Sequence, residues 1–259
     1  MPAEDPTSPA WLTAELVAGV RAITTTRAGG VSVAPFDSFN LATHVGDAEA
    51  AVTNNRARLL ADLRPQGCHA VQWLEQCHGS DCVAVAALPV EPPPQADAAL
   101  TRSRGVGVAV LTADCLPVVL YRSDAAAVAV AHAGWRGLLA GVLASTVAAM
   151  PGPATQLAAW IGPAIGAARY EVGAEVRQAA LQSNPAAEPA FSAAAKPGKF
   201  LFDLTAMARQ VLRGLGVSKV TGGDVCCASD ERFYSYRRDG QTGRMATIAW
   251  LDGAGAPNG

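Results

Sequence analysis

The chain has 259 residues, of which 50% are hydrophobic and 16% are charged, and its formal net charge is −2. A chain of this length and apolar content can bury a full core within one domain. It shows no basic stripe, so a nucleic-acid partner is not expected. Its apolar runs are interrupted by charged residues and proline before they reach about 20 residues, so no membrane-spanning helix is expected.

The six cysteines have no regular spacing, and the adjacent pair Cys226 and Cys227 has poor geometry for a mutual bridge. This pattern predicts a reduced, cytoplasmic protein rather than a disulfide framework. The first ten residues are acidic and proline-rich, so no secretory signal is expected. Residues 1–10 and 253–259 are predicted to be flexible tails of one domain that spans 11–252.

The first third of the chain alternates β-branched runs with one helical run. Strands are predicted within 15–26, and a helix is predicted over 48–63 with Asp47 as its cap. The segments 71–76 and 82–88 are predicted to be a pair of strands around the turn HGSD.

The middle of the chain contains three near-continuous apolar runs. The segments 106–113, 116–121 and 126–133 are typical of strands that are buried on both faces. Cys115 then lies between two of these strands, and His132 lies at the end of the third.

A helix is predicted over 134–150, with Arg136 in its first turn, where free amides and a guanidinium favour an anion. Four later elements complete the pattern, namely helices at 173–182 and 204–214 and strands at 217–221 and 245–251. The sequence therefore predicts an α/β protein of the α+β type, a single-domain sandwich with mixed β-sheets flanked by helices.

Three short strings each place a metal-binding side chain beside a tight turn. EQCHG, TADCLP and HAGWRG contribute His78, Cys115 and His132. Two imidazoles and one thiolate suit zinc or copper, and three protein ligands leave a fourth position open, as catalytic zinc sites do. The spacing matches no metal-clip pattern, so turn histidines and a buried structural cysteine remain the alternatives.

Five other residues are candidates for binding a substrate or phosphate: Arg27, Asn40, Arg136, Tyr170 and Glu171. The arginines offer a planar fork that fits phosphate, although each is equally a candidate for an ordinary ion pair. Asn40 is a candidate partner of a ribose or a base, or else a turn residue. Tyr170 and Glu171 are candidates for the pocket wall, or else a packed aromatic and a surface acid.

A last segment, 235–244, carries several arginines. It is predicted to be a solvated hairpin with Asp239–Gly240 as its turn.

The three strings, in this order, resemble those of the YfiH/YlmD family of laccase-domain proteins, also known as peptidoglycan-editing factors. The similarity extends over roughly residues 12 to 252 and includes four longer strings. They are TTTRAGGVSVAPFDSFNLATHVGD, ADAALTRSRGVGVAVLTADCLPVVL, WIGPAIGAARYEVGAEV and FYSYRRDGQTGRMATIAWL. The resemblance implies one catalytic domain over 11–252 with its metal triad at His78, Cys115 and His132.

The resemblance implies a zinc-dependent purine nucleoside phosphorylase that acts on adenosine, inosine and S-methyl-5'-thioadenosine and also deaminates adenosine. Its small-molecule partners are then a nucleoside and phosphate, with copper as a metal that binds in vitro. The oligomeric state stays open, with a monomer favoured.

Three alternatives are kept. The first is a peptidoglycan-editing amidase that removes L-serine from a muramyl precursor, for which Cys115 is a candidate nucleophile. The second is a copper polyphenol oxidase, which is disfavoured because four histidines are too few for a type 1 copper and a three-copper cluster. The third is a zinc-stabilised binding module, which a fourth protein ligand would favour.

Overall fold

A computed structural model describes residues 11–86, 88–217 and 219–253. The tails predicted at 1–10 and 253–259 lie outside these residues, except for Gly253, whose amide donates to the carbonyl oxygen of Gly67 at 3.4 Å.

Within the described residues the chain forms fourteen strands and six α-helices. The strands are β1 (Leu12–Thr13), β2 (Val20–Thr24), β3 (Ala70–Gln72), β4 (Cys82–Val85), β5 (Ala98–Thr101), β6 (Val106–Thr112), β7 (Leu116–Arg122), β8 (Val128–Ala133), β9 (Leu157–Ile161), β10 (Glu171–Gly173), β11 (Phe191–Ala193), β12 (Lys199–Phe202), β13 (Lys219–Gly222) and β14 (Met245–Leu251). The α-helices are α1 (Glu49–Leu63), α2 (Trp135–Ala140), α3 (Val142–Ala149), α4 (Ala174–Ser183), α5 (Leu204–Gly214) and α6 (Tyr236–Asp239). Short 3-10 turns occupy Arg64–Gln66, Ala154–Gln156, Ala167–Arg169 and Pro185–Ala190.

The strands assemble into three sheets. The five-stranded sheet has the order β1-β2-β14-β6-β3, and the six-stranded sheet has the order β13-β9-β7-β8-β5-β4. A smaller sheet has the order β10-β12-β11. Both larger sheets are mixed, because β3 pairs with β6, β4 with β5 and β13 with β9 in parallel, while their other pairs are antiparallel.

The two larger sheets pack face to face, with helices on both outer sides. Val108 and Val110 of β6 share one core with Val128 and Val130 of β8. The alternate residues of β6 share a second core with α1, and those of β8 share a third with α3 and α5. This alternation follows from the two-residue period of a strand. The predicted sandwich with mixed sheets and flanking helices is therefore confirmed.

The three apolar runs at the centre of the chain behave as predicted. They form β6, β7 and β8, and Arg122 at the end of β7 is the one residue among them that is not buried. Each strand has a core on both faces, which is why polar alternation is missing from its sequence.

The predicted pairing of 71–76 with 82–88 is wrong. The strands found there, β3 and β4, belong to different sheets, where β3 pairs with β6 and β4 with β5. The chain between them crosses from one sheet to the other. The amides of its turn are bound by a carboxylate from elsewhere in the chain and make no hairpin ladder.

The helix predicted over 134–150 is interrupted. Gly141 has a φ of +95° and its amide donates to the carbonyl oxygens of Gly137 and Leu138, so α2 ends there and α3 begins at the next residue.

The N-terminal cap of α1 lies one residue later than predicted. Ala48 occupies the cap position without a side-chain bond, and Asp47 Oδ1 accepts from the Ala48 amide at 2.8 Å.

Helices long and apolar enough to span a bilayer are not found in the described part of the chain.

Candidate metal centre and substrate cavity

Three side chains from distant parts of the sequence form a compact cluster where β6 and β8 end. The ligand atoms of His78, Cys115 and His132 all lie within 4.8 Å of one another. Cys115 Sγ is 4.0 Å from His78 Nε2, and the two imidazole ring centres are 4.8 Å apart. His132 is buried, Cys115 is half-buried and His78 is exposed, so one side of the cluster is open.

The pairing of β7 with β8 explains how Cys115 reaches the histidines. Leu116 is paired with Ala133, so Cys115 lies next to Gly134, just beyond the end of β8. A Cβ at Gly134 would lie 2.9 Å from Cys115 Sγ and 3.2 Å from His78 Cδ2. Glycine at this position therefore leaves the room that the thiol and the imidazole occupy.

Asp97 is the hub of the cluster and is fully buried. Its Oδ1 accepts from the amide of His78 at 3.0 Å and faces His132 Nδ1 at 2.8 Å. Its Oδ2 accepts from the amides of Cys77 and Gly79 at 3.1 and 2.6 Å. One carboxylate thus holds both the turn that carries His78 and the ring of His132. With Nδ1 of His132 occupied, Nε2 remains for a ligand, as in carboxylate–histidine–metal arrangements.

Sequence reasoning missed Asp97. The only signal was an acidic residue directly before the apolar run of β5, where an unpartnered charge would be costly.

The charges within the cluster support one another. Burial alone would raise the pKa of the Asp97 carboxyl, but hydrogen bonds from His132 and the Gly79 amide hold it well below its usual range. Burial would also raise the pKa of the Cys115 thiol, but the neighbouring His132 lowers it to about 6. Burial opposes the charged form of His132, yet Cys115 and Asp97 raise its pKa above the ordinary value. Without a metal, the cluster therefore favours a thiolate next to an imidazolium.

The residue before the thiol, Asp114, joins the cluster to the end of the chain. Its φ of +106° is rare for a residue with a side chain and marks a strained turn. Asp114 Oδ1 accepts from Ser235 Oγ at 2.7 Å and from Cys227 Sγ at 3.1 Å, and Oδ2 accepts from the Arg237 amide at 2.6 Å. The C-terminal segment is thereby tied to the turn that carries Cys115.

The cluster lies in the wall of a cavity of about 540 Å³, a volume typical of small-molecule sites. Arg136, Arg237 and Arg244 also line this cavity. None of these three arginines forms an ion pair with a carboxylate of the described chain. Three guanidinium groups that form no such ion pair give this part of the cavity wall a positive charge, which suits an anionic ligand.

Each cavity arginine lies near an aromatic ring that also lines the cavity. The distances from Cζ to the ring centre are 4.4 Å for Arg136 and Trp135, 5.1 Å for Arg237 and Tyr170, and 5.9 Å for Arg244 and Tyr236. The cavity wall therefore combines positive charge with aromatic surface.

The structure places only some of the predicted binding residues at this cavity. Arg136 and Tyr170 line it, whereas Arg27, Asn40 and Glu171 are not among its lining residues. Glu171 begins β10 and offers its backbone carbonyl oxygen to Arg237 Nη1 at 2.8 Å. It thus contributes to the position of a cavity arginine through its backbone.

Arg27 is occupied by local contacts. It donates to the carbonyl oxygen of Asp37 at 3.0 Å and to Asp37 Oδ2 at 3.2 Å, and it lies 3.7 Å from Asp239 Oδ2. Its guanidinium also covers the ring of Tyr234. These contacts describe an ion pair, which was the ordinary alternative for this residue.

Asn40 is fully buried, and its amide has no free hydrogen-bonding capacity for a substrate. Nδ2 donates to the Ala42 carbonyl oxygen and to Asp47 Oδ2, and Oδ1 accepts from the amides of Ala42 and Arg244. Asn40 therefore anchors the backbone of Arg244 and faces away from the cavity contents.

The predicted hairpin over 235–244 is wrong. Ser235 instead caps the short helix α6 by accepting from the Arg238 amide at 3.2 Å, and Gly240 ends it with a φ of +69°. This conformation presents Tyr236 and Arg237 to the cavity. For Arg237, the signal in the sequence was that the segment 235–244 carries three arginines and only one acidic residue, which is too few to neutralise them.

The residues of the cluster fit a zinc ion. Tetrahedral zinc bound to one thiolate and one imidazole separates the sulfur and nitrogen by about 3.6 Å. The separation of 4.0 Å between Cys115 Sγ and His78 Nε2 is close to this value. In the part of the chain that the structure describes, no fourth His, Cys, Asp or Glu joins the group. The donor set is therefore that of an open site.

Fold and cluster together define a mixed α/β protein with a candidate metal site in a cavity of ligand size. Residues 21–252 match the model of the family described as multi-copper polyphenol oxidoreductase laccase, so the chain belongs to that family. The resemblance to the YfiH/YlmD proteins is confirmed by the similarity of the chain to YfiH of Escherichia coli and YlmD of Geobacillus stearothermophilus.

Two curated relatives carry the name purine nucleoside phosphorylase. The chain is 47% identical over 247 residues to one from Pseudomonas aeruginosa, covering 93% of this chain and 98% of the relative. It is 44% identical over 236 residues to the purine nucleoside phosphorylase YfiH of Escherichia coli, covering 90% of this chain and 94% of the relative.

Two solved structures share the fold. A Neisseria meningitidis protein superposes with a TM-score of 0.87 at 44% identity, covering 94% of this chain and 99% of that one. YlmD from Geobacillus stearothermophilus superposes with a TM-score of 0.83 at 30% identity, covering 96% and 98%.

Proposed function

We propose that the protein is a zinc-dependent purine nucleoside phosphorylase that cleaves adenosine, inosine and S-methyl-5'-thioadenosine with inorganic phosphate and also deaminates adenosine. The observation that carries this proposal is the juxtaposition of the His–Cys–His cluster and three arginines without carboxylate partners in one cavity. The names of the curated relatives support it.

In this proposal His78, Cys115 and His132 hold the metal and form the catalytic centre. When bound there, zinc supplies a Lewis acid that polarises a substrate oxygen or activates a water. Asp97 keeps Nδ1 of His132 occupied, so that Nε2 faces the metal position.

The arginines would bind the nucleophile. In phosphorolysis a phosphate oxygen attacks the anomeric carbon of the ribose, the bond from that carbon to the purine nitrogen breaks, and its electron pair leaves with the base. Arg136, Arg237 and Arg244 hold the phosphate by charge-assisted hydrogen bonds and thereby fix the direction of attack. A ribosyl cation that develops during the reaction is stabilised by the bound phosphate anion.

Amide hydrolysis is the second candidate, and one observation favours it. The Cys115 thiol has a pKa of about 6 next to the His132 imidazole, which is the pairing that an acyl-transfer nucleophile needs. A muramyl peptide precursor would bring its own anionic groups to the arginines.

The copper-oxidase activity in the family description is not proposed for this chain. Its four histidines cannot supply a type 1 copper and a three-copper cluster. A purely structural zinc module is disfavoured, since the cluster has three ligands and opens into a cavity. The cytoplasm is the proposed compartment, because all six cysteines are free thiols.

The decisive experiment pairs metal analysis with a substrate panel of adenosine, inosine, methylthioadenosine, a muramyl-serine precursor and a phenol. Phosphorolysis requires phosphate and releases a free base. Product formation that is unchanged without phosphate would replace phosphorolysis by hydrolysis or deamination. Cys115→Ala should remove both metal and activity from a folded protein. Cys82→Ala, which alters a half-buried cysteine of β4, is the matched control.

The phosphate site is tested separately. Arg136→Ala should raise the apparent dissociation constant for phosphate about ten- to a hundredfold while the metal stays bound, because a hydrogen bond to a charged group is worth about 1.5–3 kcal/mol. Arg102→Ala removes an exposed arginine that does not line the cavity and should change neither property. An unchanged phosphate constant in Arg136→Ala would assign that arginine a structural role.

A further inference from the structure

One aromatic residue of the cavity wall differs from its neighbours in exposure. Tyr236 is 60% exposed, which makes it one of the few large hydrophobic side chains that the described chain leaves open to solvent. It lines the same cavity as the metal cluster and the arginines. Small-molecule pockets are lined largely by apolar and aromatic side chains, so an exposed tyrosine in the cavity wall is a candidate for ligand contact.

The other aromatic rings of the wall are already engaged. Tyr170 stacks on Phe202 with ring centres 5.7 Å apart and an interplanar angle of 18°, and Arg237 covers it at 5.1 Å. Trp135 packs against the hydrophobic core and carries Arg136 at 4.4 Å. Tyr170 and Trp135 are thus contacted both by other apolar side chains and by an arginine, whereas Tyr236 has Arg244 beside it and keeps 60% of its surface exposed, so it offers a ring face to a ligand.

The backbone of Tyr236 is held in place on both sides. Ser235, which caps α6, donates through Oγ to Asp114 Oδ1 at 2.7 Å, and the amide of Arg237 donates to Asp114 Oδ2 at 2.6 Å. The ring is thus exposed on a fixed segment, so a ligand that covers it has to immobilise only the side chain. This lowers the entropic cost of binding.

The surroundings of the ring suit a heteroaromatic ligand. Arg244 lies beside it with Cζ 5.9 Å from the ring centre, and His44 lines the same cavity. Burial, Arg244 and Arg56 lower the pKa of His44, which favours a neutral imidazole able to donate and accept one hydrogen bond each. Rings of the purine class offer a flat face for stacking and an edge with both donors and acceptors.

We propose that Tyr236 is the residue on which the purine base of the substrate stacks, and that it sets the preference of the cavity for an aromatic base. This inference rests on the proposed nucleoside phosphorylase function for the identity of the ligand. The position of the ring is independent of that function.

The test uses Tyr236→Leu and Tyr236→Phe in the full chain. Stacking of a base on an aromatic side chain is worth about 1–3 kcal/mol, so Tyr236→Leu should raise the KM for inosine about five- to a hundredfold. Its metal content and its KM for phosphate should stay unchanged. Tyr236→Phe keeps the aromatic ring face, so its KM for inosine should stay close to that of the wild type.

Calorimetry with the two products separates base binding from turnover. Tyr236→Leu should weaken binding of hypoxanthine and leave binding of ribose 1-phosphate unchanged. An active wild type whose leucine variant keeps its KM for inosine and its affinity for hypoxanthine would overturn the stacking role and leave the proposed function intact. A wild type that binds hypoxanthine through Tyr236 without cleaving nucleosides would overturn only the function. A wild type that binds no purine would overturn both.

Discussion

Replacing Asp97 by asparagine should weaken the metal site and the fold together. Oδ1 of Asp97 meets two donors, His78 N and His132 Nδ1, and Oδ2 meets the amides of Cys77 and Gly79 and the Cys77 thiol. An asparagine can accept with only one of the two positions. Its amide group would turn two hydrogens toward donors that then lack an acceptor.

The expected cost follows from that count. A donor left without its partner costs about 1–3 kcal/mol, so the two together would cost about 2–6 kcal/mol. Water can reach part of the turn, because Cys77 and His78 are exposed. We therefore expect the lower half of this range, a loss of about 2–4 kcal/mol in the free energy of unfolding. Typical domains are stable by only about 5–15 kcal/mol, so the loss should be easy to measure.

The metal affinity should fall as well, because His132 loses the partner that orients its ring. Loss of such a partner typically lowers metal affinity about 10–100-fold. Zinc affinity is measured by competition with a chelator of known affinity, and stability by urea unfolding of the metal-free protein.

The matched control is Asp81→Asn, which removes an equal charge from an exposed residue of the same turn region. It should alter neither quantity. Asp97→Asn protein with wild-type zinc affinity and wild-type unfolding would refute the role of Asp97 as the hub of the cluster.

Two further predictions concern the thiol. In metal-stripped protein, the alkylation rate of Cys115 should rise with pH around a midpoint near 6, because the pKa of its thiol is about 6. Burial raises the pKa of the Cys82 thiol to about 11, so Cys82 should stay unreactive over the same range. Mass spectrometry of peptides alkylated at several pH values measures both rates, and a midpoint for Cys115 above pH 8 would contradict the prediction. Gly134→Ala should reduce metal binding in a folded protein, because the added Cβ would lie 2.9 Å from Cys115 Sγ; Gly214→Ala, where a Cβ meets no atom within 4 Å, is the control, and equal metal content in the two variants would show that the cluster adapts to the extra carbon.

Several features of the molecule could be predicted from local sequence. The buried strands β6, β7 and β8 were predictable because burial on both faces requires an unbroken run of apolar residues, which is visible without knowledge of the partners. The candidate ligands His78, Cys115 and His132 were predictable as residue types, since imidazole nitrogen and thiolate sulfur are common zinc ligands and each of the three stands beside a turn motif. That they come together follows from the register of β7 on β8 and from the crossing of the chain between sheets.

The tertiary structure alone decided which polar residues face the cavity. Arg27 and Asn40 have the chemistry of substrate-binding residues, but their hydrogen-bonding groups are used by Asp37, Ala42 and other neighbours. Arg244 looked like part of a solvated hairpin, yet it lines the cavity.

The partnership of Asp97 with His132 could not be foreseen either. It joins residues 35 positions apart in the sequence, at a distance of 2.8 Å. The hydrophobic pattern determines which strands are buried, and therefore the layers of the fold. It does not determine how the strands are paired or where the chain changes sheets, and hydrogen bonds between distant residues depend on both. That is why the sequence by itself determined the layers, the metal-binding residue types and the candidate Arg136, whereas the role of Asp97 and the position of Arg237 and Arg244 in the cavity wall were decided only by the tertiary structure.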